Sequence, residues 1–420
     1  MQLRSVLTVL AVAATIGIGA TGCGRGGSTS ATDGITDTEV HLGGTWVFSG
    51  PRGVYGPQAR AVEAYFKYVN DRGGVMMADG KPRKITETIL DDGGDAARAS
   101  ANIRKLVEED HVFALYPNYG NPVLATRKLA AEMRVPQPFT FSVATATGAD
   151  IKQYPYTLPW QMAGATEGAL WAKFLKDTKP HARVALLYIN VDSAVDQVKA
   201  FKRLLRGTGI KIVGTQTYEA TDTDVRTQVT KLSTTKADVL VDISPAGFVP
   251  PILRQIAHST WKPLHIVPSF AADTGTVIKP AGAANALGLV AAKYELDPND
   301  PAVATSPAIR RYRVILRKYA PSLDPDQGTV LEGLNTAQTV VKALERAQPT
   351  RESFNHAVHH MRGVKLDWLM PGITVTTGPD DGFPIESAQL EQFTGAKWKP
   401  LGGIVSYEAQ TMQLGQQLGD

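Results

Sequence analysis

Three clusters in this 420-residue chain combine side-chain types and spacings that could do chemistry. His356, His359 and His360 fall together, and the 356/360 pair has the i, i+4 spacing that puts two imidazoles on one helix face, as metal ligands require. Ala357 and Val358 follow His356, so the glutamate of a helical zinc-protease motif is missing, and a surface helix is the plainer reading. Asp91, Asp92 and Asp95 bunch at an Asp-Asp-Gly-Gly-Asp turn but lack the alternating oxygen ligands of a calcium loop. No Gly-x-Ser-x-Gly elbow and no phosphate loop ending Gly-Lys-Ser/Thr is present. The chain is therefore expected to have no catalytic activity, no metal and no cofactor.

Cys23 is the third candidate and the only cysteine, which excludes an internal disulfide and a cysteine-based zinc site. Arg4 precedes an apolar run from Val6 to Ala20, too short to cross a ~30 Å hydrocarbon core, which takes about 20 helical residues. The run ends Ala20-Thr21-Gly22-Cys23, with small residues where a signal peptidase must fit. The arrangement resembles a bacterial lipoprotein signal: residues 1–22 as the signal peptide and Cys23 as the acylated first residue. Residues 23–37, beginning Gly24-Arg25-Gly26-Gly27-Ser28, read as a flexible tether that would stand a folded body off the outer face of the cell membrane.

Composition bounds the rest. Lys plus Arg (44) exceeds Asp plus Glu (40) by only four, with no basic run, so a nucleic-acid surface is not expected. A single core rarely serves more than roughly 250–300 residues, so two domains are expected. Strands and helices alternate: strands at Val40–Phe48, Ile85–Leu90, Val112–Leu115, Val184–Ile189, Ile210–Tyr218, Val239–Ile243 and His265–Val267. Between them lie helical patterns such as Val62, Tyr65, Phe66 and Val69, at i, i+3, i+4, i+7. Two such runs on either side of residue 155 imply an α/β protein with two doubly wound parallel sheets. Ligands bind such sheets at the carboxyl ends of their strands.

The motif order carries a family resemblance. Gly43-Gly44-Thr45-Trp46-Val47-Phe48-Ser49-Gly50-Pro51, Tyr55-Gly56, Tyr68-Val69-Asn70-Asp71-Arg72-Gly73-Gly74-Val75 and Asp91-Asp92-Gly93-Gly94-Asp95 follow one another in the first third. Phe248–Ile256, Phe354–Gly372 and Glu391–Pro400 follow later. This order resembles the leucine/isoleucine/valine-binding proteins, the solute receptors of branched-chain amino-acid ABC transporters. The resemblance implies the type I periplasmic-binding-protein fold, two Rossmann-like lobes joined by a three-strand hinge. It places one lobe at 38–157 with 296–358 and the other at 158–295 with 359–420. It makes Asp95 a helix cap, Phe354–Gly372 a helix followed by a β-hairpin, and Glu391–Pro400 a closing strand. It implies a monomer that takes a small-molecule ligand and meets permease subunits.

By the same resemblance, the pocket falls at Tyr55, at Tyr119-Gly120-Asn121 after the third strand, and at Ser142, Ala144 and Thr145. Pro245 and Phe270 would line it from the second lobe. Several positions depart from the family pattern. No serine stands at 119–121, Asp192-Ser193-Ala194 replaces a Tyr-Gly pair, and Pro245 replaces a tyrosine. The acid that meets a ligand's ammonium should fall near Ser269 or Phe270, and neither is acidic. With Phe248 added, the cleft reads as larger and more aromatic, suited to an aromatic or apolar acid held by Ser142 and Thr145; the ligand is expected to be amino-acid-like or such an acid, and to depart from a free branched-chain amino acid. Two function classes fit: a transport receptor, or a sensory or sequestering protein of the same fold.

Overall fold

The structure is a computed structural model that describes residues 33–50 and 53–416. The signal peptide, Cys23 and the tether as far as residue 32 lie outside the described residues. Residues 33–37, assigned to the tether from sequence, are instead folded: Ile35 is buried and bridges Val40, and Gly34 O accepts the His41 N–H at 2.7 Å. Gly34 lies so close to Phe113 N that only a residue without a Cβ fits.

Fourteen strands are described: β1 (Glu39–Trp46), β2 (Val75–Met76), β3 (Pro82–Asp91), β4 (Ala114–Asn118), β5 (Gln137–Thr140), β6 (Thr157–Pro159), β7 (Arg183–Ile189), β8 (Lys211–Tyr218), β9 (Val239–Ile243), β10 (Leu264–Val267), β11 (Val290–Lys293), β12 (Ser387–Phe393), β13 (Trp398–Pro400) and β14 (Val405–Ser406). The first sheet runs β2-β3-β1-β4, with β3 and β4 parallel to β1. The parallel pair β5-β6 continues beyond β4 through the Leu115 N to Pro136 O bond and a bridge between Tyr119 and Phe141. The second sheet runs β13-β12-β11-β10-β9-β7-β8.

The sheets are parallel at their centres, where every residue of β9 and Val184–Leu187 of β7 are buried, as strands covered on both faces must be. Their edges differ from the sequence expectation. β2 is antiparallel, and β12 to β14 add an antiparallel edge to the second sheet. Glu391–Pro400 is thus a turn between two strands, because Thr394–Lys397 closes a hairpin where one strand was expected. Phe354–Gly372 gives the helix Arg351–Val358, but only isolated bridges follow it in place of a regular hairpin.

Local chemistry fixes the helices. Gly56–Asn70 buries Val62, Tyr65, Phe66 and Val69 on one face. Ala96–Glu108 starts where the Asp95 carboxylate accepts the Arg98 N–H at 2.7 Å, the cap that the resemblance implied. Asp92 accepts from Thr45 Oγ1 and Gly94 N, so this acidic turn is consumed by its own backbone and its strand neighbour. Trp46, Trp160, Trp171 and Trp368 are fully buried. Among the described residues no helix is long and apolar enough to cross a membrane.

The chain passes between the sheets three times. It leaves β6 for helix Gly164–Thr178, which packs on Asp192–Leu204. After β11 it returns to place helices Pro307–Tyr319 and Gly328–Leu344 against Gly56–Asn70. Helix Arg351–Val358 stays with the first sheet, where Arg351 donates to Val112 O and Phe113 O, and the chain then runs on to β12. The two later crossings pair with each other: Leu296 N donates to Trp368 O and Met370 N to Tyr294 O.

Candidate ligand-binding cleft

The carboxyl ends of both sheets open into one cleft of about 840 Å3, mouth included. From the first sheet, the loop after β1 brings Tyr55, the loop after β4 brings Tyr119, Gly120 and Asn121, and the end of β5 brings Phe141 and Ser142. From the second sheet, Ile189 and Val191 come from the end of β7, Pro245 from the loop after β9, and Phe270 from the turn after β10. Parallel strands all point the same way, so these loops converge without being close in sequence.

Each aromatic has a local reason for its place. Trp46 donates its indole N–H to Tyr55 O at 3.0 Å, and its ring packs on Tyr119 at 5.0 Å. Tyr55 stacks on Tyr119 at 5.1 Å and accepts the Ala246 N–H at its hydroxyl, at 3.4 Å. That hydrogen bond ties a first-sheet loop to a second-sheet loop. Gly120 takes φ +70°, a conformation open to glycine, and donates its N–H to Phe141 O at 2.8 Å, which fixes the Tyr119–Asn121 turn.

Seven of the nine positions named from sequence therefore line the cleft, and Ala144 and Thr145 do not. Thr145 Oγ1 accepts the Ala165 N–H at 3.1 Å, a bond that secures the start of helix Gly164–Thr178. Ser142 lines the wall, but its hydroxyl shares a hydrogen bond with Thr147 and accepts from Ala144 N. Phe248 lies behind the wall, its ring 5.0 Å from that of Tyr218. Each of the two hydroxyls expected to cradle a carboxylate thus accepts a backbone N–H, and only that of Ser142 stands at the cleft.

The polar residues that sequence reasoning missed are Gln58, Gln161, Gln197, Thr329 and Glu332, all lining the cleft. Glu332 projects from helix Gly328–Leu344. It accepts from Gln161 Nε2 at 2.9 Å through one carboxyl oxygen and from Gln58 Nε2 through the other. Burial pushes its carboxyl up to about 7 against the lowering effect of those two amides, with the nearby Asp273 adding to the rise. Glu167 stands behind the opposite wall and accepts the Ser269 N–H at 2.7 Å and Gln197 Nε2 at 3.0 Å. Burial raises it from its ordinary 4.5 to about 7. It fixes both the turn that carries Phe270 and the side chain of Gln197. The available signal was one acid placed among the apolar residues of each helix. Among the described residues, no Lys, Arg or His lines the cleft.

The histidine cluster lies elsewhere. His356 and His360 stack at 3.9 Å, while His359 turns inward and donates Nε2–H to Pro155 O at 2.7 Å. Burial lowers the pKa of His359. Its ring joins two crossing segments and gives no metal-ligand geometry with its neighbours.

Comparison with known proteins agrees with this architecture. A family model described as periplasmic binding protein matches residues 39–397. The Leu/Ile/Val-binding protein homolog 7 of Brucella suis biovar 1 is 23% identical over 322 residues, which cover 74% of this chain and 78% of the relative. A branched-chain amino-acid ABC transporter protein from Thermus thermophilus, solved with bound valine, superposes with a TM-score of 0.78 at 20% identity, over 90% of this chain and 99% of its own. A fatty acid ABC transporter substrate-binding protein from Thermomonospora curvata gives 0.71 at 21% identity, over 91% and 95%. These proteins are solute receptors, and the family is not one of enzymes. The chain belongs to the periplasmic binding protein family and has its type I fold, as the motif order resembling the leucine/isoleucine/valine-binding proteins implied.

Proposed function

We propose that this protein is the extracytoplasmic receptor of an ABC importer, anchored by a lipid on Cys23, which captures a small organic ligand between two closing lobes and presents it to permease subunits. The observation that carries the reading is the cleft at the carboxyl ends of two sheets, bridged by the Tyr55 hydroxyl and Ala246 N–H. A cleft with walls on two bodies connected by paired crossing segments closes by rotation about those segments and shuts water out of the ligand's surroundings. The lobes are 38–157 with 296–358, and 158–295 with 359–420. The apolar walls at Ile189, Val191, Pro245 and Phe270 suit an apolar ligand body. The carboxyl of Glu332 supports the amino-acid-like class over a simple apolar acid, because it supplies the acid that sequence did not find near Ser269.

The experiment is a thermal-shift panel on the full chain in detergent, with aliphatic amino acids, amides, aromatic acids and larger apolar acids. A ligand at about 100 times its Kd adds about 2.7 kcal/mol to stability, an easily read shift. A shift with any class supports capture by this cleft, and none with any class removes the reading. Labelling with radioactive palmitate in a bacterial host tests the anchor: Cys23→Ser should lose all label, and retained label would place the lipid elsewhere.

A further inference from the structure

We infer that Glu332 and Gln197 together form a receiving site for the N–H groups of an amine, so the cleft selects a ligand with an ammonium head on an apolar body and discriminates against the same body carrying only a carboxylate. This inference rests on the reading of the cleft as the solute site.

Four observations converge. Glu332 is 5% exposed, and the donors that reach its carboxyl are two neutral amides, one to each oxygen, which leave further lone pairs open. The carboxyl is therefore buried and solvated by amides, yet without an ion partner among the described residues. An ammonium in the cleft would supply the missing charge. Second, Gln197 is fully buried, and its Nε2 is committed to Glu167, while its Oε1 has no hydrogen-bond partner. A buried carbonyl oxygen left unpaired is destabilising, and a ligand N–H would satisfy it. Third, both acceptors line the same cleft, Glu332 from the helix packed on Gly56–Asn70 and Gln197 from the helix packed on Gly164–Thr178. Fourth, of the two hydroxyls expected to hold a carboxylate, Thr145 does not line the cleft, and Ser142 is held by Thr147 and Ala144 N.

The charged and titratable groups facing Glu332 do not change the sign. Glu295 and Asp273 lie on the side of an adjoining cavity that Glu332 also lines, and the Tyr116 and Tyr294 hydroxyls are buried nearby. All are acids or neutral. Lys293, in the same cavity, donates to Ala272 O at 3.1 Å and packs over the Trp398 ring, and its field falls on Glu295. Burial raises the Glu332 carboxyl above the usual carboxylate range, so it gains its charge only as the pH climbs past that range, and the affinity for an ammonium should rise between about pH 6 and about pH 8.

The test is calorimetric titration of the full chain with two matched sets: leucine, isopentylamine and isocaproic acid, then phenylalanine, phenethylamine and hydrocinnamic acid. Heat is expected from the amine-bearing members, with tighter binding at about pH 8 than at about pH 6. Glu332→Gln should lose at least tenfold of that affinity and flatten its pH dependence, while Gln197→Leu should weaken it with the pH dependence intact. If either variant misfolds, the pH series on the unmodified protein decides. Binding of the two acids as tightly as their amine counterparts, or an affinity unchanged across this pH range, overturns the inference and leaves the receptor reading standing. Binding by none of the six at millimolar concentration overturns the amine selection and the amino-acid-like ligand class together.

Discussion

Glu167→Gln isolates the cost of keeping one carboxyl behind the cleft wall. Glu167 is fully buried, and burial raises it from 4.5 to about 7. The folded protein thus holds this proton more tightly than the unfolded chain does. Its contribution to stability is complete below about pH 4.5 and is lost as the pH rises through about 7. Integrated from about pH 8 down to about pH 5, the gain is about 2.5 kcal/mol. Glutamine fills the same volume. Its carbonyl can accept the Ser269 N–H, and its amide can donate to Gln197 once that side chain turns its unpaired Oε1 inward. The variant should therefore fold, and its stability should rise by about 2.5 kcal/mol less than that of the unmodified protein over the same acid shift. At an unfolding entropy of about 2.1 cal/mol/K per residue, that is about 3 °C in Tm. Both proteins should retain a residual slope from Glu332, raised to about 7, and from Glu87 and Glu386, each raised to about 8 by burial. Urea denaturation of both full-length chains, in steps across the range, gives the comparison. Parallel profiles would refute the assignment of a buried, proton-holding role to Glu167.

Two further perturbations probe closure and packing. Tyr55→Phe deletes the hydroxyl that accepts the Ala246 N–H, and the loss of one such bond, about 1 kcal/mol, should raise the ligand Kd about fivefold; an unchanged Kd would show that the bridge does not hold the closed form. Gly333→Ala would put a Cβ 2.4 Å from Gln58 O, so helix Gly328–Leu344 must back away from Gly56–Asn70. It should cost about 1–3 kcal/mol in urea denaturation and weaken ligand binding as Gln58 leaves Glu332, and full stability with full binding would refute the close-packing argument.

Much of the architecture was legible because it is written in local patterns. Val62, Tyr65, Phe66 and Val69 recur at the helical period, and the solid apolar run Val239–Ile243 belongs to a strand buried on both faces. Alternation of such segments implies a doubly wound fold with its ligand at the carboxyl ends of the strands, and the family resemblance pointed to Tyr55, Tyr119, Ser142, Pro245 and Phe270 as the residues that gather there. The antiparallel edge at β12 to β14 was not legible, because a hairpin and a single long strand carry the same alternation until a partner strand is chosen.

The polar contents of the cleft were decided by tertiary structure alone. Glu332 lies more than 270 residues from Gln58 in sequence, and only the packing of helix Gly328–Leu344 on Gly56–Asn70 joins them. Nothing local to Thr145 reveals that its hydroxyl serves Ala165 N instead of a ligand. A side chain's type is local, whereas its partners depend on which segments the chain brings back together. Local patterns carried the alternation of strands and helices, and the family resemblance carried the cleft and its loops. The fold decided which acids and amides face it, because hydrogen bonds and burial are properties of contacts between segments far apart in the chain.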